Sequence, residues 1–117
     1  MANFLFVYRG GDDEFATMTP QEIEQHMQKW SAWIGEGFQK GWMLDAGDAL
    51  TPEGRVVTSK KVVTDGPFAE SKELVGGYSI VKADTIDDAA ALAKGCPALE
   101  TGGTVEVRPL AGLVPRE

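Results

Sequence analysis

The sequence predicts an α+β sandwich, two helices packed on one face of a mostly antiparallel sheet. Three observations lead there. Short β-rich segments and two helical segments follow one another as strand, helix, strand, hairpin, strand, helix, strand. The first strand is apolar on both of its alternating faces, the pattern of a strand covered on both sides. A chain of 117 residues is large enough for one core and too small for two, so a single domain over 1–117 is expected.

"NFLFVYR" (Asn3 to Arg9) is short, rich in β-formers and stopped by Gly10-Gly11. Alternation puts Phe4, Phe6 and Tyr8 on one face and Leu5 and Val7 on the other. "MTPQEI" is a helix start: Thr19 caps, Pro20 takes the first helical position and Glu22 closes a capping box. Met18 and Ile23 have the spacing of a hydrophobic staple. Ile23, Met27, Trp30, Ile34 and Phe38 recur at helical intervals and predict the buried stripe. Gly35 and Gly37 weaken the last turns, and Gly41 is the stop.

"WMLDAGDAL" predicts a second strand bent at Gly47, and "RVVTSKKVVT" a hairpin about Ser59-Lys60. "GGYSIVKA" is a further strand. A second helix starts near Asp84 or Thr85, with Asp87 and Asp88 favourable in its first turn, and stops at Gly95. "TVEVRPL" ends the set, with Val105 and Val107 opposite Glu106 and Arg108. This order is the ferredoxin-like β-α-β-β-α-β arrangement with an inserted hairpin. Two helices cover one sheet face. Leu5 and Val7 call for cover on the other, and a second copy of the chain is the simplest cover, so a homodimer joined through the sheet face is expected.

A net charge of −7 repels phosphate backbones, which argues against nucleic acid as a partner. The apolar run Phe4 to Tyr8 is too short for a membrane span or a signal peptide, so no membrane association and a cytoplasmic location are expected. Cys96 is the only cysteine and reads as a small buried hydrophobe. With one His and one Cys the chain lacks a transition-metal ligand set, and neither a metal nor another cofactor is expected. Gly10-Gly11, Gly76-Gly77 and Gly102-Gly103 fit no phosphate-loop pattern and read as strand-end bends.

"VVTDGPFAESKELVGGY", "GCPAL" and "GGTVEVRPL", together with "YRGGDDE", "EQHMQKWSAWI" and "VTSKKVVTDGPF", resemble the YCII-related family in its DGPF branch, over nearly the whole chain. The resemblance implies a dimeric α+β barrel of ferredoxin-like protomers, similar in fold to muconolactone isomerase and other small barrel enzymes. Some members are fused to or encoded beside sigma factors, which implies a protein partner in transcription regulation. One branch carries a His on the first helix and an Asp in an Asp-Pro step after the second, proposed as a catalytic pair. His26 in "EQHMQ" resembles the first member. Cys96-Pro97 stands where the Asp-Pro would be, which leaves Asp65 of the DGPF stretch as the replacement acid.

His26 has two readings: a boundary histidine packed on Trp30 and Trp33, four and seven residues on, or a general acid or base titrating near neutrality. Asp65 either pins a turn by accepting from nearby backbone N–H groups or presents its carboxylate to a cleft, with Phe68 as an apolar wall. Tyr8, Phe68, Glu106 and Arg108 are the candidate ligand-binding residues. The charges of Glu106 and Arg108 lie on the face that a dimer would cover, where they must pair or touch ligand. Glu70, Lys72 and Glu73 read as a solvated loop. The leading expectation is a small dimeric protein with a polar-lined cleft that does cofactor-free acid–base work on a small organic molecule, using His26 and Asp65. The alternative is a non-catalytic metabolite-binding or regulatory module.

Overall fold

The computed structural model describes residues 1–11, 14, 16–66 and 74–115. The elements are β1 (Ala2–Arg9), α1 (Pro20–Lys40), β2 (Met43–Ala49), β3 (Arg55–Val57), β4 (Val63–Asp65), β5 (Val75–Ala83), α2 (Ile86–Ala93), a 3-10 turn (Pro97–Thr101) and β6 (Thr104–Pro109). Four strands form one antiparallel sheet in the order β2-β5-β1-β6, the ferredoxin-like arrangement, with both helices on one face. Among the described residues, β3 and β4 pair only with each other, as a separate two-stranded sheet.

The start of α1 follows from local chemistry. Thr19 Oγ1 accepts from the Glu22 N–H at 3.1 Å, and Glu22 Oε1 accepts from the Thr19 N–H at 2.9 Å. Two of the first turn's unpaired donors are thereby satisfied. These bonds to the ionised carboxylate hold the exposed Glu22 carboxyl below its ordinary range. The helix ends at Gly41, whose φ of 86° is left-handed and suits glycine. α2 is capped by Thr85 in the same way, its Oγ1 accepting from Asp88 N–H.

The buried stripe of α1 differs from the expected one. Met27 and Phe38 are about half exposed, and the residues facing the sheet are His26, Trp33 and Gly37, with Trp30 half-buried between them. The two stripes are neighbouring faces of the same helix, and tertiary packing selects between them. Trp33 stacks on Phe6 with centroids 6.2 Å apart and meets Trp42 at 5.3 Å. One turn later, Gly37 lets the helix sit directly on β2. A Cβ there would come within 2.8 Å of Met43 Cβ and 3.0 Å of the Trp42 ring. Gly37 is therefore a packing point and not only a weak place in the helix.

Strand alternation holds as expected. Tyr8 lies opposite Gly77 and Val105, and Phe6 opposite Ser79 and Val107, all on the helix side. Val7 lies opposite Tyr78 and Glu106, and Leu5 opposite Ile80 and Arg108, on the open side. Phe4, Phe6, Tyr8, Trp33, Met43, Val81, Ala89 and Cys96 form the core. Burial pushes the Cys96 thiol up to about 11, so it stays protonated and serves as filler at neutral pH. No helix of the described residues is long and apolar enough to cross a membrane.

The two mid-helix glycines should respond in opposite directions. A Cβ at Gly35 meets nothing within 4 Å, so Gly35→Ala should stabilise by about 1 kcal/mol through helix propensity. Gly37→Ala makes the same change but forces Met43 and Trp42 apart, and overpacking of this kind costs about 1–3 kcal/mol. Urea unfolding midpoints measure both; a stabilised Gly37→Ala would show that α1 is not seated on β2 in this way.

Candidate functional site

A cavity of about 430 Å³ opens between α1 and the ends of β1, β2 and β5, within the volume range of small-ligand sites. Its existence follows from residue size. On the helix side of the sheet, Gly77 and Ser79 of β5 stand beside Ala46 and Ala49 of β2, where larger side chains would fill the space. Gly77 cannot be enlarged without strain, because a Cβ there would lie 2.8 Å from the Asp48 carbonyl oxygen. Gly47 has a φ of 67° and packs so closely under Tyr78 that a Cβ would overlap the Tyr78 carbonyl, and the bend there carries Asp48 and Ala49 around the floor. The roof is the flank of α1 that bears His26, Trp30 and Ile34.

His26 is 6% exposed and lines this cavity. Trp30 Nε1–H donates to His26 Nε2 at 3.0 Å. An indole nitrogen can only donate, so Nε2 accepts and the neutral ring carries its proton on Nδ1. Trp30 also sets its edge against Tyr8, with centroids 4.9 Å apart at 81°, a favourable edge-to-face arrangement. Tyr8 Oη donates to Ser79 Oγ at 2.8 Å, and Ser79 Oγ donates to the Ala46 carbonyl at 2.7 Å. The wall therefore holds two short polar chains, Trp30 to His26 and Tyr8 to Ser79 to Ala46, set between apolar surfaces. Desolvation drives the Tyr8 phenol well above its ordinary value; the bond to Ser79 opposes this in part, and the buried Cys96 thiol adds to it.

A family model, the YCII-related domain, matches residues 11–112. The chain belongs to the YCII-related family. Comparison with curated proteins returns no match. The match to the YCII-related domain spans both helices, the cavity roof and most of its floor.

The remaining candidates fall in different places. Tyr8 lines the cavity beside His26. Asp65 lies at the end of β4, is largely exposed, pairs with Arg55 at 3.4 Å and does not line the cavity that holds His26. The physical reason is that the β3–β4 ladder closes on itself instead of joining the main sheet. Glu106 sits on the sheet's open side, bonded to Arg9 and Arg108 at 3.2 Å each, and these cations hold its carboxyl low. Phe68, and with it Glu70, Lys72 and Glu73, lies outside the described residues. Gly76-Gly77 is not a strand-end bend: both residues are inside β5, and Gly77 is cavity floor.

Ser79, Thr101 and Ser31 are cavity residues that the sequence does not single out, and Trp30, expected there as packing for His26, joins them. Alternation within "GGYS" carried the signal for the first, because it sets Gly77 and Ser79 on the face of Tyr8 and Phe6.

The raised Tyr8 value gives a pH prediction. The folded state holds the phenolic proton more tightly than the unfolded chain. This contribution to stability is complete below the ordinary tyrosine value of about 10 and is lost as pH rises above it. In a Tyr78→Phe variant, which leaves Tyr8 as the one tyrosine, phenolate absorbance should appear only together with alkaline unfolding. Ionisation at pH 10 with the fold intact would place Tyr8 outside the buried site.

Proposed function

We propose that the chain binds a small, largely apolar organic molecule in the cavity between α1 and the sheet. The observation that carries this reading is the pairing of an open floor of glycine, alanine and serine with an aromatic roof in which Trp30 and His26 are hydrogen-bonded to each other. Such a site offers apolar contact to a planar body and a few fixed polar atoms to orient it. Acid–base chemistry at His26 is the second reading, favoured by the burial of the ring in the cavity wall. It requires Trp30 to turn away, because the indole N–H occupies the Nε2 lone pair. A dyad with Asp65 would further require the β3–β4 hairpin to reach the cavity.

Titration of ¹⁵N-labelled protein with small neutral aromatic molecules tests the binding reading. The Trp30 indole and His26 ring signals should shift together. Ser31→Trp, at an exposed helix position on the cavity mouth, should abolish the shifts while the unfolding free energy stays within about 0.5 kcal/mol of the parent. Shifts that survive Ser31→Trp would place binding elsewhere. Proton exchange with solvent from an activated C–H of a bound compound, lost in His26→Ala, would move the reading to catalysis.

We also infer that two copies pair through the open sheet face. Leu5 and Tyr78 lie there, Tyr78 exposed and Val7 and Ile80 already buried within the single chain, among Glu106 and Arg108, charges of opposite sign two residues apart on one strand. A two-fold axis makes this pattern self-complementary. Light scattering at micromolar concentration should give twice the chain mass, and Tyr78→Asp, at an exposed position of that face, should reduce it to one. A parent protein with the mass of one chain would remove the pairing.

A further inference from the structure

The hydrogen bonds of the cavity wall have fixed directions. A carbonyl oxygen can only accept, so the 2.7 Å contact between Ser79 Oγ and the Ala46 carbonyl commits the Ser79 proton. Ser79 then has only lone pairs to offer, and the 2.8 Å contact with Tyr8 commits the Tyr8 proton. Thr101 Oγ1 donates to the Ala98 carbonyl at 3.2 Å. Trp30 Nε1–H is committed to His26 Nε2. Four side chains that line the cavity therefore send their polar hydrogens into the protein, and His26, beside them, carries its proton on Nδ1. Tyr8 and Thr101 keep lone pairs, and no proton, with which to meet an occupant.

Charge acts in the same direction. The Tyr8 phenol stays neutral, so it is an acceptor without being an anion. Arg9, at the rim, shares the Glu106 carboxylate with Arg108 at 3.2 Å each, so its charge is offset only in part. The exposed hydroxyl of Ser31 at the mouth can turn either way and does not discriminate.

Building on the binding reading above, we infer that the Tyr8 wall of the cavity selects neutral occupants that donate a hydrogen bond, phenols, alcohols and amides on an apolar body, over carboxylates and over acceptor-only molecules of the same shape. Tyr8 is the specificity-determining residue, and Ser79 acts through it by holding its proton away from the cavity. A carboxylate placed against Tyr8 Oη meets lone pairs and loses its hydration without replacement.

Phenol, anisole and benzoate are the probes, because they share a ring and differ in donor and charge. Binding is read at the Trp30 indole signal. Phenol should bind about fivefold more tightly than anisole, the range of one neutral hydrogen bond, and benzoate most weakly. Tyr8→Phe keeps the ring in the core and should abolish the advantage of phenol over anisole, read as the ratio of the two affinities. Ser79→Ala frees the Tyr8 proton, so anisole should gain and the gap should narrow. Equal binding of phenol and anisole, or preference for benzoate, overturns the donor selection while leaving the cavity as a binding site. No shift at Trp30 with any of the three overturns both readings.

Discussion

The packing of Trp33 of α1 against Phe6 of β1 is the contact on which the rest of the molecule depends. The Trp33 ring stacks on Phe6, turns its edge toward Trp30 and Tyr8, and leans on Trp42. That contact sets the rotation of α1 about its own axis. Four residues further on, the same face must be glycine so that the helix can rest on Met43 and Trp42. Three and seven residues earlier, the face carries Trp30 and His26 over the end of the sheet. Met27 and Phe38 are turned toward solvent by the same rotation. A histidine that local pattern would leave at a boundary becomes a buried wall residue because an indole seven positions away is locked to the sheet.

The cavity arises where this column runs past the large side chains of the sheet. Beneath Trp33 the floor is Phe6; beneath Trp30 and His26 it is Tyr8 and then Gly77, Ala49 and Ala46. Burial in this region raises the cost of any unpaired polar atom, and the structure answers with chains that end on backbone carbonyls. No buried side-chain nitrogen or oxygen among the described residues lacks a partner. The polar character of the wall is thus a consequence of satisfying Tyr8, Ser79, Thr101 and Trp30 internally, and the chemistry left facing the cavity is what those bonds do not consume.

Local signals were legible in the sequence and long-range ones were not. The capping box at Thr19 and Glu22, the stop at Gly41 and the two-faced alternation of β1 each depend on a few neighbouring residues, and each is found where it was expected. The stripe of α1 was misplaced because two adjacent faces of the helix are both apolar, and only the contact with Phe6, far away in the chain, separates them. The sequence marks both His26 and Trp30, four residues on, but not the hydrogen bond that joins them, nor that Asp65 lies on a hairpin outside the main sheet. The glycine pair of β5 looked like a bend because its role depends on what lies above it, which alternation alone does not state.

The account rests on α1 being rotated so that Trp30 donates to His26. The tautomer of His26 reports this bond directly. In a two-bond ¹H–¹⁵N correlation spectrum recorded with the ring neutral, Nε2 should be the unprotonated nitrogen and Nδ1 should carry the hydrogen, because an indole N–H at 3.0 Å leaves no room for a proton on Nε2. A neutral ring protonated on Nε2 would mean that the two side chains do not meet, and that the roof of the cavity is built differently.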